Sequence, residues 1–247
     1  MKTLSIKTWL RLFVSVGLVT GLASPVFADF IDLPLKWSQP ITDLDSNGVI
    51  DGVLVSSDHT VVGVKADDFT SDGRPIVAVR WWGGYISDLA PRLNGFTGPF
   101  DISFHLSDAN PPPYGTNAVH PGSLPMDPYL VLYQNVTAQE VFVGTNSAGM
   151  FVYRYDAYLP LAFNETAGVE YFIDIDKPTG ETWGWQTINI SLSPIQDWAA
   201  NTAGNHVGPW SSLPDDLAFE LMVPEPSAML LVALGGVGLV ALGRRRR

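Results

Sequence analysis

The chain has 247 residues, no cysteine, and 25 acidic against 14 basic side chains, a formal charge of −11. Without cysteine a disulfide framework, thiolate metal sites and a cysteine nucleophile are excluded. The acidic balance argues against a nucleic-acid partner, because binding phosphate requires Lys and Arg to displace its counterions.

The first 28 residues differ from the rest. Lys2, Lys7 and Arg11 precede the apolar stretch Leu12 to Leu22, and Val26-Phe27-Ala28 places small or aliphatic residues one and three positions before Asp29. A basic segment, a short apolar segment and an A-x-A-like site make up a secretory signal peptide, so signal peptidase is expected to leave Asp29 as the first residue. The segment from Asp29 to Met222 is then 194 residues, one domain with a sizeable core. Its 7 basic and 24 acidic side chains give a charge of −17, which favours solubility and cation binding.

The next motif is Asp43-Leu44-Asp45-Ser46-Asn47-Gly48-Val49-Ile50-Asp51-Gly52. Asp43, Asp45, Asn47 and Asp51 fall at positions 1, 3, 5 and 9 of a calcium loop, Gly48 at the turn, and Val49 where a backbone carbonyl is used. Position twelve is Leu54 instead of a bidentate Glu, and Val53-Leu54-Val55 reads as a strand, so a complete EF-hand is not expected. Two readings stand: an incomplete calcium site finished by water or by a carboxylate such as Asp58, and a surface Asx turn without an ion.

Short alternating runs separated by Gly, Pro, Asn and Asp follow. They predict strands at Val77 to Tyr85, Phe100 to Leu106, Tyr129 to Gln134, Glu140 to Val143, Met150 to Tyr155, Val169 to Asp176, Trp185 to Leu192 and Leu217 to Met222. Within Val169 to Asp176, Ile173 and Ile175 share one face and Asp174 and Asp176 the other, predicting a strand with one face to solvent. No stretch has a helical period, which predicts an all-β fold: one antiparallel β-sandwich or jelly roll. Proline-rich Ser107 to Pro128 reads as a surface loop.

Few residues suggest chemistry. Asp67-Asp68 and Asp215-Asp216 are adjacent carboxylates; neighbours on a strand point to opposite faces, so neither pair is an acid/base dyad, and Asp67-Asp68 reads as a turn entry. His59, His105, His120 and His206 lack metal-ligand spacing, and no G-x-S-x-G elbow or phosphate loop occurs. Trp81, Trp82, Tyr85, Trp183 and Trp185 would make a sugar-stacking platform if exposed, and would otherwise pack a core. Adjacent Trp81 and Trp82 cannot both face one sandwich core, so one must lie outward or under a loop.

The chain ends in Val223-Pro224-Glu225-Pro226, an uncharged run from Ala228 to Gly243, and Arg244, Arg245, Arg246 and Arg247. As a helix the run would cover ~24 Å, short against ~30 Å of hydrocarbon, and the arginines would stay cytoplasmic with the domain outside. Gly235, Gly236 and Gly238 weaken it as an anchor, which suits a transient stop. This three-part tail resembles the PEP-CTERM sorting signal of Gram-negative bacteria that make extracellular polysaccharide. The resemblance implies recognition of the Pro-Glu-Pro segment by a membrane-embedded exosortase, removal of the tail, and release or transfer to the cell surface.

Leu35-Lys36-Trp37-Ser38-Gln39-Pro40, Ala66-Asp67-Asp68-Phe69, Val79-Arg80-Trp81-Trp82-Gly83-Gly84-Tyr85, Trp183-Gly184-Trp185-Gln186 and Leu217-Ala218-Phe219-Glu220-Leu221 are similar to landmarks of an uncharacterised family of secreted bacterial β-sandwich domains. That resemblance implies the fold and no catalytic residue. Together these features predict an exported, non-enzymatic structural or adhesive component among extracellular polysaccharides. The alternatives are a carbohydrate-binding module using the tryptophans and, third, a glycoside-processing enzyme using dispersed carboxylates.

Overall fold

The computed structural model describes residues 33–60, 63–107, 130–178, 182–188, 198–201, 210–213 and 216–225. Twelve strands follow one another: β1 (Leu35–Gln39), β2 (Leu54–Ser56), β3 (Lys65–Thr70), β4 (Ile76–Tyr85), β5 (Gly95–Leu106), β6 (Val131–Thr145), β7 (Phe151–Phe163), β8 (Glu170–Asp176), β9 (Trp183–Gln186), β10 (Trp198–Asn201), β11 (Trp210–Leu213) and β12 (Phe219–Met222). Among the described residues there is no helix, and the pairings between these strands are antiparallel, in the order β1-β12-β4-β7-β6-β5-β8-β3-β10-β11 with β9 linking β2 to β4. The all-β antiparallel expectation is met, in the form of one sheet that curls until it nearly closes.

Closure depends on β4, which has two partners along one edge. Ala78 to Trp81 pair with β12, and Gly83 to Tyr85 pair with β9. At the first end, Asp67 of β3 reaches the far edge of the sheet: its Oδ2 accepts from Leu217 N at 2.7 Å and from Gln39 Nε2 of β1 at 3.0 Å. At the other end, Ser57, which follows β2, donates its hydroxyl to the Ile175 carbonyl of β8 at 2.7 Å and accepts from Lys65 N at 3.0 Å. Edge strands with open backbone groups are thereby joined by side chains where the ladder stops.

Alternation then decides what fills the interior. Val79, Trp81 and Tyr85 of β4, Phe100, Ile102 and Phe104 of β5, Tyr153 and Tyr155 of β7, and Ile173 and Ile175 of β8 all point inward and are buried. Trp81 stacks on Tyr155 with centroids 5.5 Å apart, and Phe100 meets Trp81 and Trp183 edge-on at 5.0 and 5.4 Å. Offset and edge-to-face contacts such as these suit the ring quadrupoles, and each buried ring removes ~150–250 Å² from water. A second, smaller cluster lies on the outer face: Trp82 with Val152, Ala218, Ile188 and Ile50, closed by Ile41. So Trp81 faces inward, while Trp82 faces outward under a loop, as the alternation requires.

Gly83 and Gly84 let the backbone come close where β9 joins β4. A methyl at Gly84 would collide with the Phe151 carbonyl oxygen, and one at Gly83 with the Trp183 ring.

Two expectations are corrected. Asp67-Asp68 is not a turn entry but lies inside β3, with Asp67 paired to Ile173 and Asp68 to Phe172. The Asp174/Asp176 face is not open to solvent: both residues are buried, and the outer face above them carries His59 beside Asp176 and Trp210 edge-on to His105 at 5.7 Å. Val131 to Gln134 of the segment predicted at Tyr129 to Gln134, and the segment Glu140 to Val143, are parts of one strand, β6. Most of the predicted Ser107 to Pro128 loop lies outside the described residues.

Replacing Gly84 by Ala is expected to cost ~1–3 kcal/mol through overpacking against a backbone that cannot move aside, read as a lower denaturant midpoint. Burial, and then the Asp68 and Asp216 carboxylates, hold the Asp67 carboxyl well above its ordinary range. Folding therefore favours its protonated form, and that contribution is lost as pH rises from ~4 through the raised value. The stability of the wild type relative to Asp67→Asn should fall across that window; a difference that stays flat or grows with pH in urea melts would contradict it.

Candidate functional site

The sorting motif begins inside the fold. Strand β12 is central, between β1 and β4, and ends at Met222. Val223 is buried, with its N–H donating to the Pro34 carbonyl at 3.0 Å, while Pro224 and Glu225 are half-buried. Pro226, the run Ala228 to Gly243, Arg244 to Arg247 and the segment Met1 to Ala28 predicted as a signal peptide lie outside the described residues. No helix among the described residues is long and apolar enough to cross a membrane.

The Asp43 to Asp51 loop is a series of side-chain turns. Asp43 accepts from Asn47 N at 3.0 Å and Gly48 N at 2.8 Å, and Asn47 Oδ1 accepts from Val49 N at 2.7 Å. Ser46 and Gly48 have φ of 55° and 83°, which tightens the chain there. Asp51 Oδ2 accepts from Leu44 N at 2.8 Å and Thr42 Oγ1 at 3.1 Å, closing the loop at its base. Asp45 accepts from Asn47 Nδ2 at 2.7 Å. The carboxylates thus satisfy backbone and amide donors of their own loop, the geometry of Asx turns. What the loop positions is apolar: Ile41 and Ile50 at its two ends cover Trp82.

The tryptophans singled out as a platform are in the interior or under cover. Trp81, Trp183 and Trp185 have no exposed surface and Trp82 is 6% exposed. A ring enclosed on both sides has no face for a sugar to stack on. The Trp185 indole N–H donates to the Ala218 carbonyl at 2.9 Å, fixing β9 against the start of β12.

The structure assembles a polar group that sequence spacing did not reveal. On the outer face of β5 and β8, Asp101 lies opposite Asp176 and Ser103 opposite Asp174. Ser103 Oγ donates to Asp174 Oδ2 at 2.6 Å, and His105 Nε2 lies 2.7 Å from both Ser103 Oγ and Asp174 Oδ2. A nucleophilic relay needs the histidine to hold the carboxylate with one nitrogen and the serine with the other; here one nitrogen faces both. The trio is a buried hydrogen-bonded triangle. Beside it, His59 Nδ1 sits 2.5 Å from Asp176 Oδ2, and His59, Asp101 and Asp176 have ligand atoms within 4.8 Å of one another. An imidazole nitrogen with two carboxylates suits a divalent ion, but His59 Nδ1 is already committed to Asp176. The period-two pattern of Asp101-Ile102-Ser103-Phe104-His105 was the available signal, since it puts those three polar residues on one face.

A third arrangement crosses five strands on the outer face. Ser38, Glu220, Arg80, Asp156 and Gln139 form one row, with Arg80 Nε donating to Asp156 at 2.6 Å, Arg80 Nη1 to Glu220 at 3.2 Å and Ser38 Oγ to Glu220 at 2.9 Å. Arg154 Nε donates to the second Asp156 oxygen at 2.9 Å. Opposite charges make the Glu220–Arg80 and Arg80–Asp156 cross-strand pairs attractive.

Loss of the Asp51 carboxylate should release the loop base and uncover Trp82. Asp51→Ala is expected to lower stability by ~1–2 kcal/mol for the two lost acceptor contacts, equally in chelator and in millimolar calcium. A loss that appears only when calcium is present would instead indicate an ion in the loop.

Comparison with known proteins agrees with both ends of this description. No curated protein gives a match. Residues 223–247 match the PEP-CTERM protein-sorting motif, so the protein is an exported one, sorted and processed by exosortase in association with the membrane. Residues 35–229 match the domain of unknown function DUF7901, and by that match over most of its length the chain belongs to the DUF7901 family.

Proposed function

We propose that the β domain is a structural or adhesive component of the cell surface or extracellular matrix, placed among polysaccharides once its tail has been processed. The observation that carries the reading is the use to which the reactive side chains are put. Ser103, His105 and Asp174 close on one another, and Arg80, Asp156 and Glu220 bind neighbouring strands together. Side chains committed to holding strands serve a durable body better than a turnover site. The strong negative charge keeps such a body dispersed among hydrated polymers, where a neutral protein would self-associate.

The route to that position is part of the reading. Signal peptidase would free Asp29 on the far side of the inner membrane, and the short Ala228 to Gly243 segment would hold the chain there transiently, with Arg244 to Arg247 in the cytoplasm. Exosortase action at the Pro-Glu-Pro segment would then pass the domain outward. Buried Trp81, Trp82, Trp183 and Trp185 do not favour the surface-platform version of a carbohydrate-binding module.

The test compares native cells with cells lacking the gene and with cells making a form cut short at Met222. The intact protein should be recovered, processed, in the polysaccharide fraction, and its loss should reduce the amount of polymer that stays with cells after washing. The shortened form should not restore retention. Release of new reducing ends from the host polymer by the purified protein would overturn the non-enzymatic reading.

A further inference from the structure

The domain is entered and left at one end of the sheet. Val223 N–H donates to the Pro34 carbonyl at 3.0 Å, beside the Leu35–Met222 pair of β1 and β12. From there Met222 pairs with Ala78 of β4, and Ala78 with Tyr158 of β7. The next pair toward this end is Ile76 with Phe163, so β7 places four residues where β4 places one. The surplus forms a bulge. Its base, Leu159 and Phe163, is buried in the core, and its tip, Pro160, Leu161 and Ala162, is exposed, Leu161 by 75%. Pro160 has no N–H to give a ladder, which suits a place where pairing stops.

Other leucines share this end. Phe163 stacks on Phe104 of β5 at 4.3 Å and meets Tyr171 of β8 edge-on at 5.6 Å. Leu106, paired with Tyr171, ends β5 just beyond that stack, and Leu130 N donates to the Phe104 carbonyl at 2.7 Å. Leu35, Leu106 and Leu130 are exposed, as Leu161 is. A single exposed leucine is ordinary; four around the end of one sheet make an apolar rim. Ionic groups near it in the chain close on one another: Lys36 Nζ lies 2.8 Å from Asp72 and 2.5 Å from Glu165, and Arg74 Nη2 lies 2.6 Å from Asp72.

The chain that follows decides what meets this rim. Ala228, where the apolar run starts, is five residues after Val223, at most ~18 Å of extended chain. Strands lie ~4.8 Å apart, so the β7 bulge, two strands from β12, is ~10 Å from the exit. The run covers ~24 Å of a ~30 Å hydrocarbon layer. A span that short thins the bilayer or pulls its own flanks into the interface, and either brings this end of the domain to the lipid. We propose that Leu35, Leu106, Leu130 and the Pro160 to Ala162 bulge form a membrane-contact face, seated in the headgroup layer while the tail holds the chain and lifted away when the tail is removed. The proposal rests on the transient anchoring argued above. It keeps Pro224, Glu225 and Pro226 at the lipid surface, within reach of a membrane-embedded exosortase. The other end of β4, ten residues and ~30 Å away, leads to exposed Leu89 and Leu93, but Pro34 and Val223 are not there.

The test uses the full chain, which has no cysteine of its own, so one introduced cysteine carries the only probe. Leu161→Cys, Leu130→Cys, Leu93→Cys and Leu231→Cys are each labelled with an environment-sensitive fluorophore and reconstituted in vesicles of phosphatidylethanolamine and phosphatidylglycerol. The Leu231 probe reads the tail and the Leu93 probe the far end of the sheet. Emission from Leu161 and Leu130 should shift to the blue and lose intensity to nitroxide-bearing lipid, while emission from Leu93 does neither. Leu161→Asp, added to the Leu130 probe, should weaken that quenching with the melting temperature unchanged, because the side chain it replaces is exposed. If Leu161 is no more quenched than Leu93 while Leu231 is quenched, or if Leu161→Asp leaves the Leu130 quenching as it was, the contact face is overturned and the anchoring stands. An unquenched Leu231 probe overturns the anchoring, and the face with it.

Discussion

The fold depends on joining the two ends of a curled sheet with side chains. A ladder of backbone bonds holds neighbouring strands, but among the described residues no ladder runs from β3 back to β1, and the curled sheet is left to close by other means. Asp67 and Ser57 solve this at opposite ends. Asp67 takes Leu217 N and Gln39 Nε2, and Ser57 joins the end of β2 to Ile175 and Lys65. Each contact is a single hydrogen bond, of modest net value in water. Their consequence is larger, because they help turn one face of the sheet into an enclosed interior where Phe69, Phe100 and Trp81 have no contact with solvent.

Enclosure also explains why polar residues on the outside are buried. Once the inner face is filled, the outer face of β4 carries Trp82, which needs its own cover, and Ile41 and Ile50 provide it from either end of the acidic loop. The outer faces of β5 and β8 carry carboxylates and histidines, so their cover is polar and paired: His59 with Asp176, His105 with Ser103 and Asp174. A second layer of mixed character on an antiparallel sheet gives buried charges, and buried charges persist only where each has a partner.

How much of this could be read beforehand follows from which signals are local. β4 and β8 were legible because period-two alternation is written in consecutive residues, and the opposed fates of Trp81 and Trp82 follow from that period alone. β3 was not, because Lys65-Ala66-Asp67-Asp68-Phe69-Thr70 has the composition of a turn. What makes it a strand is distant, the acceptance of Leu217 N by Asp67 and the pairing with β8. Solvent exposure of Asp174 was misjudged for the same reason: alternation tells which residues share a face and not whether that face is later covered. The sorting signal was the most legible feature because it acts as a linear address, read in order along the chain.

The position of β12 ties that address to folding. β1 pairs with β12, and β12 pairs with β4, so among the described residues the first strand has its backbone ladder with the last. A chain exported from its N-terminus presents β1 early and Phe219–Met222 late. Until Leu217 to Met222 emerge, Asp67 lacks the Leu217 N–H, Trp185 lacks the Ala218 carbonyl, and β1 lacks its β12 ladder. Val223, the first residue of the sorting motif, is buried and bonded to Pro34, and the two residues after it are half-buried. Cleavage beyond it removes no strand, whereas cleavage a few residues earlier would take the piece that joins β1 to the rest. The boundary between fold and address is therefore set by the sheet: the motif starts where the final ladder partner ends.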